Sequence, residues 1–257
     1  MVTQFRLLSF YGLACLLLIV SSGSSYAQIS HTGKGYHFRL KARQGETFKY
    51  QLATHQEMSN TPSEFGMQET SMSMTIKATC ARINGNLLIM KTLDSPYTMN
   101  GRTFGKSTTS VMKIKSDGVV VSRGYSGLPN LNLEKLYSYT LQPGKTYNLP
   151  VSIRSSSRSS VKVIEHETVK LLGFTHYKGH QSARLQMNFK NTVTIKMKGV
   201  NTAVSQASGT ETALISVTDG WPEYIKIISS STSENPALKK SNIHASTMTM
   251  VTILERE

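Results

Sequence analysis

Long runs of alternating apolar and polar residues are the feature that most constrains how this chain of 257 residues can fold. From Met72 to Cys80, every even position is apolar or small and every odd position is polar. The same period of two returns from Met187 to Met197, where Asn191 is the polar exception. A strand places successive side chains on opposite faces of its sheet, so these runs predict antiparallel strands with one buried and one wet face. We therefore expect an all-β fold with minor α structure.

An internal repeat organises these strands. The stretch 44–48 (QGETF) aligns with 143–147 (PGKTY), and the Asp-Gly turn at 117–118 has a counterpart at 219–220. The repeat predicts two related antiparallel β units, residues 28–140 and 141–257. We expect the units to form one curved sheet or half-barrel. The segment 130–139 predicts one short helix, with Asn130 as its N-cap, that crosses the sheet.

The first residues have the pattern of an export signal. An apolar run extends from Leu7 to Val20, and the small residues Ser25 and Ala27 follow it. Because this run is shorter than the roughly 20 residues that span a bilayer, it predicts a cleaved signal peptide over residues 1–27. Cleavage leaves Cys80 as the only cysteine, which excludes an intrachain disulfide. We expect a secreted or periplasmic protein of a bacterial cell envelope, without a transmembrane helix after cleavage.

The charge balance indicates which neighbours this surface attracts. The chain has 29 Lys and Arg against 15 Asp and Glu, a net charge of +14. Such a surface attracts anionic partners, and an anionic membrane surface or an acidic glycan is the expected class. Nucleic acid is not expected, because no recognition helix, zinc finger or RNA-binding motif is present. A merely solvated basic surface is the alternative.

No residue pattern indicates catalysis. After residue 27 the aspartates are Asp94, Asp117 and Asp219, and each lies in a turn sequence where its side chain has a local backbone role. The stretch 124–127 (GYSG) lacks the final glycine of a nucleophile elbow. Cys80 falls on the apolar side of its strand, where a neutral thiol is inert. We therefore expect no enzyme activity, no catalytic residue and no cofactor.

Two methionine pairs raise the question of a metal site. Met72 and Met74 form one Met-x-Met pair, and Met248 and Met250 form another. Thioether sulfur is a ligand for Cu(I), so copper binding through these pairs is one hypothesis. The alternation around them favours the other, an apolar wall of flexible side chains. The dispersed histidines, including His176 and His180 at a predicted hairpin tip, indicate no zinc site.

The motifs also carry a resemblance to known proteins. The export signal, the openings at 45–48 (GETF) and 144–147 (GKTY), and the Asp-Gly hairpins resemble an uncharacterised family of secreted bacterial β-rich proteins, a domain of unknown function, over most of residues 36–230. The long amphipathic strands with a crossing helix are remotely similar in architecture to the half-barrels of periplasmic lipoprotein-localisation carriers. The first resemblance implies no activity, and the second implies a concave face for lipid.

These observations favour non-enzymatic binding of an apolar or amphipathic, lipid-like ligand on a concave β face. A structural or adhesive envelope protein without a small ligand is the alternative, and Cu(I) binding is a third. The residues expected to face the ligand are the apolar positions of the alternating runs: Met72, Met74, Ile76, Phe189, Val193, Ile195, Met197, Met248 and Met250.

Overall fold

A computed structural model describes residues 29–61, 67–123, 136–155, 160–196, 203–234 and 245–257. The predicted signal peptide lies outside these residues. Nearly all of the described chain is β structure. The strands are β1 (Ile29–Thr32), β2 (Gly35–Phe38), β3 (Thr47–Thr61), β4 (Met67–Asn84), β5 (Leu87–Asp94), β6 (Tyr97–Met99), β7 (Arg102–Phe104), β8 (Thr108–Lys115), β9 (Val120–Arg123), β10 (Thr140–Leu141), β11 (Thr146–Asn148), β12 (Ser152–Ser155), β13 (Ser160–Tyr177), β14 (His180–Lys196), β15 (Ala203–Ser216), β16 (Pro222–Glu234) and β17 (Ala245–Arg256).

One curved, antiparallel sheet of 14 strands dominates the structure. Its order is β11-β13-β14-β15-β16-β17-β3-β4-β5-β8-β9, so β17 joins the strands of both halves of the chain. The sheet is open, because its edge strands do not pair with one another in the described part of the chain. A small second sheet has the order β1-β2-β10. The predicted all-β, antiparallel, curved architecture is confirmed.

Little of the predicted crossing helix lies within the described residues. Residues 130–135 are outside them, and helical conformation is present only at Leu136 and Tyr137. Both side chains are fully buried. The end of this segment is therefore part of the core.

The two Gly-x-Thr-aromatic openings adopt matching turns. Gly45 has φ +83° and Gly144 has φ +80°, a left-handed conformation that glycine adopts without steric cost. The N–H of Gly45 donates to the carbonyl of Cys80, and that of Gly144 donates to the carbonyl of Leu171, both over 2.8 Å. The first turn therefore precedes β3, which pairs with β4, and the second precedes β11, which pairs with β13.

The two Asp-Gly turns also match. The side chain of Asp117 accepts a hydrogen bond from the N–H of Val119 over 3.2 Å. The side chain of Asp219 accepts one from the N–H of Trp221 over 2.9 Å. Both aspartates thus have the local turn role that their sequence context predicts.

The segment between β2 and β3 ties these two turns together under the sheet. The N–H of Leu40 donates to the carbonyl of Ser116 over 2.7 Å, and the N–H of Lys41 donates to that of Asp219 over 2.8 Å. The indole N–H of Trp221 returns to the carbonyl of Lys41 over 2.8 Å. These three hydrogen bonds hold the segment where its side chains Phe38, Leu40 and Ala42 enter the core.

The core lies on one side of the large sheet, at one end of its long strands. Directly paired residues of antiparallel strands lie on the same face. One such row crosses seven strands and is buried except for the half-buried Met74: Leu171, Leu185, Ala213, Ile225, Leu254, Leu52 and Met74. We call the side that carries this row the inner face, and the opposite side the outer face.

Candidate functional site: the Met-rich inner face

Past the core, the inner face continues along the same strands and remains rich in methionine. Three successive rows of directly paired residues form this surface, which we call the Met-rich inner face. The rows are Val169, Met187, Glu211, Ile227, Thr252, Thr54 and Met72; then Glu167, Phe189, Gly209, Ser229, Met250, Gln56 and Thr70; then Glu165, Asn191, Ala207, Ser231, Met248 and Met58.

Apart from the buried Val169, the side chains on this surface are half-buried, and many of their sequence neighbours on the outer face are exposed. Phe189 and Met250 are half-buried, while Asn188, Lys190 and Thr249 are exposed. Met187 and Ile227 pack directly against the core. The surface is therefore a partly sheltered extension of the core in which apolar and polar side chains are about equally common.

A glycine shapes the middle of the surface. A Cβ atom at Gly209 would lie 2.5 Å from Cζ of Phe189 and 2.9 Å from its Cε1. The ring of Phe189 therefore lies directly over the backbone of Gly209. This arrangement places a flat aromatic side chain across the strand pair and keeps the surface open above it.

Carboxylates are the charged groups of this surface. Burial, with a smaller contribution from the charge of Glu167, raises the pKa of Glu211 from its ordinary 4.5 to about 7. Glu165 and Glu167 lie on the same face, on β13. None of the residues in the three rows is lysine or arginine, so the positive charge of the protein lies elsewhere.

The residues predicted from alternation lie at inner-face positions. Met72, Met74 and Ile76 do so on β4, Phe189 and Val193 on β14, and Met248 and Met250 on β17. Ile76 is fully buried and Met74 packs against the core, so these two side chains belong to the packed interior. Ile195 pairs with Ala203 in the ladder, and Met197 lies outside the described residues.

Glu211 and Gly209 were not singled out by alternation, although the signal for both was present. They occupy the inward positions of β15, in phase with the buried Ala213. At inward positions an apolar side chain is expected. A glutamate or a glycine there indicates that the position does more than fill the core.

The two Met-x-Met pairs are separated by a strand. Met72 is opposite Thr54 on β3, and Met250 is opposite Gln56 on the other side of β3. Among the described residues, no group of three or more His, Cys, Asp or Glu is arranged to hold a metal ion. The geometry of the four methionines therefore favours an apolar surface over a shared copper site.

A cavity of about 440 Å³ borders one side of the Met-rich inner face. Glu167 and Phe189 line it together with Leu149 and Val151, which follow β11. Its volume falls within the range of small-molecule sites, about 300–1,000 Å³. Lys190 and His166 also line it, so both a carboxylate and a cation border this cavity.

A second apolar cavity lies on the outer face. It has a volume of about 300 Å³, and Ala53, His55, Ser73, Val251 and Ile253 are among its lining residues. Because Val251 follows Met250 directly on β17, the two faces can be tested by adjacent substitutions.

The hairpin tip of β13 and β14 borders a third, polar cavity of about 340 Å³. Tyr177 donates to Glu255 over 2.6 Å, and Arg256 pairs with Asp219 over 2.8 Å. These polar side chains therefore bond one another at this end of the sheet.

In the same cavity, Ser182 donates a hydrogen bond to Glu223, a residue skipped in the β15–β16 pairing. Burial raises the pKa of Glu223, and this hydrogen bond opposes the effect. The Glu223 carboxylate is therefore held by a buried hydrogen bond.

No protein-family model matches the sequence, and no curated protein matches it. Among solved structures, a mutant porin of Rh. blastica is similar over 82% of this chain and 100% of its own, with 9% identity and a TM-score of 0.32. A conserved hot-dog-fold protein of unknown function from Alicyclobacillus acidocaldarius covers 91% of this chain and 98% of its own, with 9% identity and a TM-score of 0.14. Neither similarity carries an argument about function. In the described part of the chain, no helix is long and apolar enough to cross a bilayer.

Proposed function

We propose that the protein is a non-enzymatic binding protein of the cell envelope, secreted or periplasmic, that holds an amphipathic, lipid-like ligand on the Met-rich inner face. The observation that carries this proposal is the row structure of that face. Apolar side chains from β4, β14, β16 and β17 share that face, half-buried and continuous with the core.

Methionine suits such a surface. Its side chain is unbranched and polarisable, and it adapts to ligands of irregular shape. Met72, Met248 and Met250 lie on the same face as the ring of Phe189, separated from it by small or hydroxyl side chains. A surface of this kind binds an alkyl or polyisoprenoid chain without demanding one shape.

The polar groups of the surface indicate the other end of the ligand. Glu165, Glu167 and Glu211 provide carboxylates, and Thr54 and Thr252 provide hydroxyls that hydrogen-bond one another over 3.2 Å. The ligand class that fits these groups is an apolar chain with a hydrogen-bonding head.

A neutral fluorescent probe tests this proposal. N-phenyl-1-naphthylamine, which brightens in apolar surroundings, is titrated into the purified protein. The double variant Met248→Gln with Met250→Gln should weaken probe binding at least about tenfold, because two amides replace apolar contacts. The matched control, Ser73→Gln with Val251→Gln, alters outer-face positions and should leave the affinity unchanged.

Two results would contradict the proposal. Loss of probe binding only in the outer-face control variant would move the site to the outer cavity. A protein that binds no probe, and that releases no lipid on extraction and native mass spectrometry, would favour the structural or adhesive alternative.

A further inference from the structure

On the outer face of β4, β5 and β8, lysines and exposed apolar side chains stand side by side. Leu93 is 44% exposed and Val111 is 47% exposed. Lys77 is directly opposite Leu93, and Lys91 is directly opposite Val111. Directly opposite side chains lie about 5 Å apart, so each apolar group has a cationic neighbour.

Two further cations extend this arrangement. Lys113 follows Val111 on the same face of β8 and is opposite Ile89, which in turn is opposite Arg82 on β4. Lys77, Lys91, Lys113 and Arg82 are all exposed. We call this group the basic outer patch: Lys77, Arg82, Lys91, Leu93, Val111 and Lys113.

No carboxylate of these three strands lies beside the patch, and on the neighbouring β3 the residue opposite Lys77 is Lys49, which pairs with Glu257 over 3.9 Å. Asp94, at the end of β5, is buried on the inner face. Among the described residues, the acid on the outer face of these three strands is Glu69. It lies eight residues along β4 from Lys77, about 27 Å away at about 3.4 Å per residue. The patch is therefore a local concentration of positive charge.

We propose that the basic outer patch docks the protein on an anionic phospholipid surface. The lysines are attracted to the negative head groups, while Leu93 and Val111 are placed to enter the boundary between head groups and acyl chains. A soluble anionic glycan would use the lysines but would leave both apolar side chains in water. The exposed apolar pair therefore favours lipid over glycan.

This inference is independent of the proposed ligand, because it uses the opposite face of the sheet. The three rows of the Met-rich inner face contain three carboxylates and no lysine or arginine, whereas the outer patch contains four cations. The division of charge orients the molecule, since the outer face is attracted to an anionic bilayer and the inner face is not. A protein docked in this way keeps its inner face accessible.

Vesicle co-sedimentation of the purified protein tests the docking surface. Vesicles of phosphatidylcholine mixed with phosphatidylglycerol are compared with vesicles of phosphatidylcholine alone. Each lysine near an anionic surface changes affinity about fivefold, so Lys77→Gln, Lys91→Gln and Lys113→Gln together should weaken binding about 100-fold. Leu93→Ser with Val111→Ser should weaken it about tenfold through lost apolar contact.

The matched control removes the same charge elsewhere on the outer face: Lys170→Gln, Lys190→Gln and Lys226→Gln, on β13, β14 and β16. This variant should lose less than about fivefold, since exposed charges more than about 10 Å apart are largely screened. All substituted side chains lie on the outer face, and unfolding midpoints verify that each variant is folded.

Three outcomes would overturn the proposal. Equal losses in the two triple variants would show that overall charge, not the patch, governs binding. Equal binding to phosphatidylcholine alone would remove the anionic requirement. If Leu93→Ser with Val111→Ser binds vesicles normally while a heparin fragment competes for the three lysines, the patch is a glycan site.

Discussion

Replacing Glu211 with glutamine should stabilise the fold at neutral and alkaline pH. The carboxylate lies between Met187 and Ile227 on the Met-rich inner face, and burial raises its pKa from 4.5 to about 7. Between these two pH values the folded state holds a proton that the unfolded state has released. Stability therefore falls as the pH rises through this window, and the loss is complete above about pH 7.

The size of the effect follows from the displacement of the pKa. At about 1.4 kcal/mol for each pKa unit, the ionised carboxylate costs at most about 3 kcal/mol. Because the side chain is half-buried and solvent screens part of its charge, we expect about 2 kcal/mol. Glutamine keeps the shape and the hydrogen-bonding capacity but has no charge, so Glu211→Gln should recover this amount.

Urea unfolding at about pH 5 and about pH 8 measures the difference. The variant should exceed the natural protein by about 2 kcal/mol at the higher pH, and by less than about 0.5 kcal/mol near the unfolded-state pKa. The control is Glu69→Gln, which changes an exposed glutamate on the outer face. A variant that is no more stable at the higher pH would refute the placement of Glu211 on a desolvated inner surface.

Three further substitutions test the packing of the fold by urea unfolding. Gly209→Ala should cost about 3 kcal/mol or more, because its Cβ would overlap the backbone carbonyl oxygen of Ile228 as well as the ring of Phe189, and a second change, Phe189→Leu, should recover only a small part of the loss. Gly220→Ala should cost about 3 kcal/mol or more, since φ is +73° and the Cβ would lie 1.9 Å from the carbonyl oxygen of Arg39; an unchanged midpoint would contradict this close approach. Trp221→Phe should cost about 1–3 kcal/mol through the lost indole hydrogen bond to the segment under the sheet, and a neutral result would mean that this bond is not formed in solution.

Much of the fold follows from local periodicity. The alternation from Met72 to Cys80 lies within β4, and the alternation from Met187 lies within β14. The period of two also assigns each side chain to one face, because neighbouring strands must bury the same phase. The inner-face positions of Phe189 and Met250 could therefore be predicted before any pairing was known.

Strand partners could not be predicted in the same way. Pairing between β17 and β3 joins residues from opposite ends of the chain, and periodicity contains no information about such long-range contacts. The short pieces β11 and β12 both pair with the single long strand β13. That arrangement depends on tertiary packing.

The candidate site was predicted in its apolar part and missed in its polar part. Alternation identifies Met72 and Met250 because they continue an apolar phase. Alternation does not identify Glu211, because its pKa is raised by burial among residues of other strands. Neither the position of Leu93 beside Lys77 nor that of Val111 beside Lys91 follows from sequence, because each depends on the register of two strands.

Methionine methyl NMR tests the central proposal most directly. The natural protein carries inner-face methionines, such as Met72, Met187 and Met250, and the core methionines Met90 and Met112, which are buried. With isotope-labelled methionine methyl groups, dodecyltrimethylammonium is titrated below its micelle concentration, and dodecyl sulfate is titrated in parallel. We expect saturable shifts of the inner-face methyl signals with both amphiphiles, and little change at Met90 and Met112. Unshifted inner-face signals, or shifts as large at the core methionines, would contradict ligand binding on the Met-rich inner face.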